Sequence, residues 1–120
     1  MEMIIALPIL LFILFGIAEV SRLWHTLNIV TTAAREGARA GSVSGAALSV
    51  GVDRANAILA AANLAPAVAP TVNCINPTPC APDSQVNVSV TVDFTTIFPL
   101  LLPMPTGPIA INQTASMRRE

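Results

Sequence analysis

The side chains with the greatest chemical potential are two cysteines, one histidine and a scatter of acids and arginines. Cys74 and Cys80 bound the proline-rich run C-I-N-P-T-P-C. An even, closely spaced pair in a small chain that opens on an export-type apolar segment reads as a disulfide, with two free thiols as the alternative. Closing so short a loop would stabilise a fold by about 2 kcal/mol on the chain-entropy account. Zinc takes four ligands, and the lone histidine, His25, lies far from both cysteines on a different element; no CxxC redox pair is present either. Ser42, Ser44 and Asp53 fall in Gly/Ala-rich sequence that reads as turn and helix start. Nothing in the spacing assembles a nucleophile, a base and an orienting acid, so neither an enzyme nor a cofactor is expected.

The charged residues carry less chemistry than placement. Arg35, Glu36 and Arg39 cluster within one helical turn, and they read as a solvated face with weak local pairs or as contacts from helix to head or between subunits. Glu2 and Glu19 flank an apolar run, where a carboxylate is costly to bury unless it is paired or protonated and costs little at a membrane interface. The chain has 120 residues, of which 53% are hydrophobic and 11% charged, with a mean hydropathy of +0.68 and a net charge of −1. That composition is too apolar for disorder and implies membrane or assembly partners. Its basic residues are six arginines, too few and too balanced by acids to build a phosphate-binding surface, which excludes a nucleic-acid role.

These groups must be positioned by a small number of elements, for there is room for one domain at most. Residues 3–18, M-I-I-A-L-P-I-L-L-F-I-L-F-G-I-A, hold no charge. They are slightly short for a bilayer core of about 30 Å, yet Val20, Leu23 and Trp24 extend the apolar surface on one side. A cleaved signal peptide is the rival reading, because Gly16 and Ala18 have A-x-A-like spacing. Glu2, where a basic region belongs, and a helical pattern that continues past Ala18 favour a retained helix. The first basic residue, Arg22, follows the apolar run and by the positive-inside rule would leave the remainder in the cytoplasm, whereas the cysteines point outward. A basic leader ahead of Met1 would reconcile the two.

Beyond Ala18 the apolar positions Val20, Leu23, Trp24, Leu27, Val30 and Ala34 follow i, i+3, i+4, i+7 spacing, so the helix is expected to run on to about residue 40. Pro8 lacks the N–H that would pair with the carbonyl of Ile4, and a kink or local opening is expected there. Gly16, Ala18, Ala33, Ala34, Gly37, Ala38 and Gly41 offer small faces for close approach, either to other subunits or to the chain's own second helix. That second helix is expected over residues 53–64, started by Asp53 and stopped by Pro66 and Pro70. From Pro66 the chemistry turns to β. Residues 85–95 alternate Val86, Val88, Val90, Val92 and Phe94 with polar residues, a second strand is expected over 109–117, and a weaker one before Cys74. The apolar, proline-rich connector from Phe98 to Met104 is too irregular for a strand and is expected to cap the core or meet a partner. The fold class is therefore α+β: a membrane-inserting and assembly helix over residues 1–40, then a small antiparallel head over 41–120 with one disulfide.

Three blocks of residues, in order along the whole chain, resemble the TadE-like proteins of tight-adherence (Flp-type) pilus systems. Glu2 with A-L-P-I-L-L-F-I-L-F-G-I-A-E at 6–19 is similar to the family's hydrophobic start; A-A-R-E-G-A-R-A-G at 33–41 is similar to its A-R-E-G-A-R block and is the most specific of the three; T-A-S-M-R-R-E at 114–120 is similar to its closing strand. The resemblance implies a type IV pilin-related structural subunit, minor or filament-forming. Such a subunit is held in the inner membrane by its N-terminal helix with the head outside the cytoplasm, and is found in an extracellular pilus after assembly. It implies other pilin-like subunits in a homo-oligomer or filament, the pilus assembly machinery, and lipid before assembly as partners. In the wider pilin class a basic leader is removed just before a glutamate that then pairs with a neighbour's N-terminal amine; Glu2 matches that position, although only Met1 precedes it and no processing glycine is present. Pro8, Gly16 and Glu19 are the other expected assembly positions. A membrane-anchored periplasmic binding module that never enters a filament is the alternative.

Overall fold

The computed structural model describes residues 2–43, 45, 47–75, 80–97 and 107–120. Helix α1 spans Glu2–Ser42, 41 residues, and sets the long axis of a molecule measuring 71 × 23 × 19 Å. Between Ile17 and Glu36 it contains neither glycine nor proline. Thr26, Thr31 and Thr32, poor helix formers because their hydroxyls compete for backbone groups, direct those hydroxyls to the carbonyls of Arg22, Leu27 and Asn28 at 3.0, 2.8 and 2.8 Å. Pro8 lies inside α1, and the helix is continuous across it from Glu2 rather than opened over its first turns. Pro8 still removes the hydrogen bond to the Ile4 carbonyl, a single loss that does not end so long a helix.

Helix α2 covers Leu48–Ala61, five residues earlier at its start than the Asp53 expected from sequence and three shorter at its end than Leu64. Ala47 occupies the N-cap in extended conformation and contributes no side-chain hydrogen bond, so capping does not select this start. Packing against α1 does. Gly37 and Gly51 face each other so closely that a Cβ on Gly51 would lie 2.8 Å from the Gly37 carbonyl oxygen, and one on Gly37 2.9 Å from that of Gly51. Beside them Ala33, Ala34, Ala38 and Ala55 are buried. The small face on residues 33–41 is thus spent within the chain. Asn63, at φ 57°, ends α2: its N–H donates to Ala60 O at 3.0 Å, and the N–H of Leu64 donates to Leu59 O at 2.9 Å. This is a left-handed helix stop, and asparagine tolerates that conformation better than most residues. Pro66 and Pro70 follow it, inside a strand.

Three strands form an antiparallel meander in the order β1 (Pro66–Ile75), β2 (Gln85–Phe94), β3 (Ile109–Arg118). Period-two alternation gives β2 its two faces. Val86, Val88, Val90, Val92 and Phe94 are buried, and they pair across the sheet with Met117, Ala115, Gln113, Ile111 and Ile109 of β3. Each valine so buried stabilises the fold by about 1.5 kcal/mol or more. The outer face carries Asn87, Ser89, Thr91 and Asp93, with a hydroxyl pair between Ser89 and Thr114 at 3.0 Å. Helix α1 lies over β2 and β3, and α2 lies mainly over β1. The core therefore sits between a two-helix layer and one face of the sheet, completed by Val30 and Leu59.

A disulfide joins Cys74, at the end of β1, to Cys80, with the Cα atoms 5.5 Å apart. Nearby, the N–H of Asp83 donates to Arg119 O at 3.0 Å, that of Arg119 to Ser84 O at 2.7 Å, and that of Glu120 to Ser42 O at 3.3 Å. These bonds stitch the far ends of β2, β3 and α1 together. Arg118 also pairs with Asp83. Its hydrogen bond, aided by its charge, holds the Asp83 carboxyl below its ordinary pKa and raises that of Arg118 in return. Both side chains are exposed, so the pair orients the strand end more than it stabilises the fold.

The glycine contact yields a clear expectation. Gly51→Ala forces backbone apart against backbone and should destabilise the head by about 1–3 kcal/mol, although alanine gains up to about 1 kcal/mol of helix propensity over glycine. Gly16→Ala meets nothing within 4 Å and should leave the head's denaturant midpoint unchanged. Equal midpoints for the two variants would contradict the packing described.

Candidate functional site

The exposed apolar run and the inward face that packs on the head belong to one helix, α1, and the place where one gives way to the other is the site with the most organised chemistry. From Met3 to Ile17 every large apolar side chain of α1 is exposed, from 82% at Met3 to 40% at Phe15. The most apolar window of this helix has a mean hydropathy of 2.6. A helix that is apolar all round needs a cover that water does not supply. From Leu23 onward one face turns inward: Leu23 and Leu27 are partly buried against the core, and Val30, Ala34 and Ala38 are buried within it. Val20 and Trp24 share the same spacing but stay 55% and 65% exposed and are not part of the core cluster.

Glu19 stands between the two halves. It is only 3% exposed, and a buried carboxylate requires hydrogen-bonding partners. One oxygen, Oε1, accepts the backbone N–H of Ile97 at 2.8 Å, and the other, Oε2, accepts Arg22 Nη1 at 3.2 Å. Arg22 in turn lies over the ring of Phe94, its Cζ 5.4 Å from the centroid, within the range of cation–π attraction. The end of β2 and the start of the connector are thus latched to the helix at the point where its apolar run ends. Of the acids flanking that run, Glu19 is engaged inside the chain, while the side chain of Glu2 lies outside the described residues.

The remaining sequence candidates are dispersed along α1. Pro8 is inside its first turns, and Gly16 has open space where a side chain would be. Arg35 and Arg39 are exposed and Glu36 is half-buried; among the described residues none of the three makes a side-chain hydrogen bond or ion pair. They lie well up the head, away from the Glu19 latch. Cys74 and Cys80 are at the opposite end of the sheet from Ile97 and play no part in the latch. The connector from Phe98 to Met104 lies outside the described residues. Sequence reasoning missed Ile97 and Phe94 as partners of Glu19 and Arg22. The Glu19–Arg22 spacing of i, i+3 was visible, but a backbone donor 78 positions away leaves no local signal.

Among the described residues one exposed apolar helix, long and apolar enough to cross a membrane and compatible with single-pass anchoring, carries a small disulfide-closed α+β head. The family model for TadE-like proteins matches residues 1–39, which shows the resemblance over the apolar helix and the A-R-E-G-A-R block and relates the chain to pilus-associated proteins. No curated protein and no solved structure matches it.

The latch can be broken selectively. Glu19→Ala leaves the Ile97 N–H without its acceptor and should cost about 1–3 kcal/mol, read as faster amide exchange at Ile97 and a lower thermal midpoint in detergent. Glu19→Gln keeps an acceptor oxygen and should retain most of the protection. Unchanged exchange at Ile97 in the alanine variant would contradict the assignment.

Proposed function

We propose that this chain is a pilin-like structural subunit, minor or filament-forming, of a type IV or tight-adherence pilus. The observation that carries this reading is that α1 is uncovered along its apolar half and built into the core along its other half. Lipid is one cover for the uncovered half; the packed helices of neighbouring subunits are the other. Because the head is continuous with the helix, a subunit that exchanges lipid for neighbours carries its head into the assembly in a fixed orientation. The match to TadE-like proteins over residues 1–39 supports the same reading.

In this proposal residues 1–40 act as the membrane and assembly helix and 41–120 as the head. The chain sits in the inner membrane with the head outside the cytoplasm, and Trp24 occupies the level of the lipid headgroups, where tryptophan is favoured. Glu2 pairs with a neighbour once lipid has been left behind, and Pro8 and Gly16 allow close packing of neighbouring helices. The partners are other copies or related subunits, and the assembly machinery that extracts them. Glu19 supports assembly indirectly, by keeping the head registered on the helix.

The test is the location of the chain in cells that make the pilus. Filaments sheared from the surface should contain it, and Glu2→Ala should lower its share of the filament while leaving the membrane pool intact. Retention of the whole pool in the membrane, bound to a soluble partner, would replace this reading with that of an anchored binding module.

A further inference from the structure

The two edges of the sheet differ in a way that singles one of them out. At the β1 edge, Pro66 and Pro70 lack N–H groups and the pairing with β2 shifts register between Pro66 and Val68 and again between Val68 and Thr71. Prolines and irregular pairing are how sheets make an edge unreceptive to a further strand. The β3 edge has neither device: Ile109–Arg118 contains no proline, its register with β2 is unbroken, and no charge precedes Arg118. Alternate N–H and C=O groups of such a strand point away from β2, its one neighbour among the described residues.

Along this edge runs a groove of about 300 Å³, with Gln113 to Met117 on one side and Thr31, Ala34 and Arg35 of α1 on the other. At Met117 it meets a second hollow of about 470 Å³ that reaches Arg39 and Val43 of the α1 end. Arg118 at this end is engaged by Asp83, and Glu120, whose N–H donates to Ser42 O at 3.3 Å, lines the second hollow with Arg39, so the acid-free part of the groove is the stretch beside Arg35. Arg35 and Arg39 are left as exposed guanidiniums on the groove wall, without ion-pair partners among the described residues. Glu36, one residue on, is turned about 100° around the helix.

We propose that the β3 edge and the adjoining wall of α1 form a docking site for an extended acidic peptide of a partner protein. The peptide adds as a fourth strand, with carboxylates at alternate positions facing Arg35 and Arg39. The spacing fits: four residues of helix advance about 6 Å, and two residues of strand about 6.6 Å. Backbone pairing supplies the affinity and the arginines the selectivity. A second copy of this chain is a poorer occupant, because neither β1 nor β3 contains an acid and a second β3 would bring Arg118 toward Arg35 and Arg39. The proposal goes beyond the filament reading, since it needs only a folded head.

The experiment uses the full chain in zwitterionic detergent and the fluorescein-labelled peptide Thr-Glu-Val-Glu-Val-Thr. Saturable binding by anisotropy is expected, with slower amide exchange along 109–118. Arg35→Gln together with Arg39→Gln should weaken it by about tenfold or more, and the lysine counterpart Thr-Lys-Val-Lys-Val-Thr should not bind. The acidic peptide N-methylated at alternate residues keeps its charge but cannot pair as a strand, and should also bind at least about tenfold less tightly. That comparison is made on the unaltered chain, so it decides even if the arginine variant folds poorly. Absence of saturable binding at millimolar peptide would overturn the proposal, as would equal binding of the N-methylated or lysine peptide. So would concentration-dependent protection of 109–118 without peptide, which would mean that the edge is taken by a second copy.

Discussion

One unbroken helix has to satisfy two surroundings, and the remainder of the molecule is arranged around that constraint. Over its first half α1 presents apolar side chains in every direction; over its second half it narrows to an inward stripe of Val30, Ala33, Ala34, Gly37 and Ala38. The change in side-chain size is what allows the change in partner. Large residues suit a fluid or helical surrounding that can adapt to them, whereas alanine and glycine let α2 and the sheet approach closely enough for a core this small to be continuous. A head of so few residues gains stability mainly by using the second half of α1 as its own central element.

Two contacts hold this arrangement in register. The Gly37–Gly51 crossing fixes α2 against α1, and the Glu19–Ile97 bond fixes the end of β2 at the level where the apolar run stops. Between them they leave little freedom for the head to pivot on its helix. In the proposed role, in which the helix exchanges lipid for neighbouring subunits, that registration would carry the orientation of the head from one surrounding to the other. The β3 edge and the Arg35–Arg39 wall are held on the same rigid frame.

Much of this was legible in the residues. Alternating valines announce β2 with its boundaries, and the apolar run followed by helical spacing announces α1. The spacing and context of Cys74 and Cys80 point to a bridge, and the structure contains it. What stayed hidden depended on tertiary contact. α2 begins at Leu48 without a cap because Gly51 must reach Gly37, so Asp53, the residue that looks like a start, lies inside the helix. Pro66 and Pro70 look like its stop, but the local signal is Asn63, an asparagine able to turn left-handed and followed by a leucine that returns to the core. The small residues of 33–41 were equally suited to a neighbouring subunit or to the chain's own helix, and only the second helix's position decides for the latter. Glu19 looked like a boundary charge; its backbone partner is too distant in sequence to leave a pattern.

Helix α1 runs without a break from its exposed apolar half into the head, with the change at Glu19. Nitroxide labels placed singly at successive positions from 6 to 30 of the chain in bilayers, each read for accessibility to oxygen and to a water-soluble relaxation agent, test this continuity most directly. Oxygen access should dominate at every position up to Ala18. Water access should take over beyond Val20, with a 3.6-residue oscillation that runs unbroken through Glu19 and deepens from Leu23 as the inward face is protected. A loss of helical period around Glu19, or equal exposure of all faces beyond Leu23, would mean that the apolar run and the head are separate bodies and that α1 is not continuous.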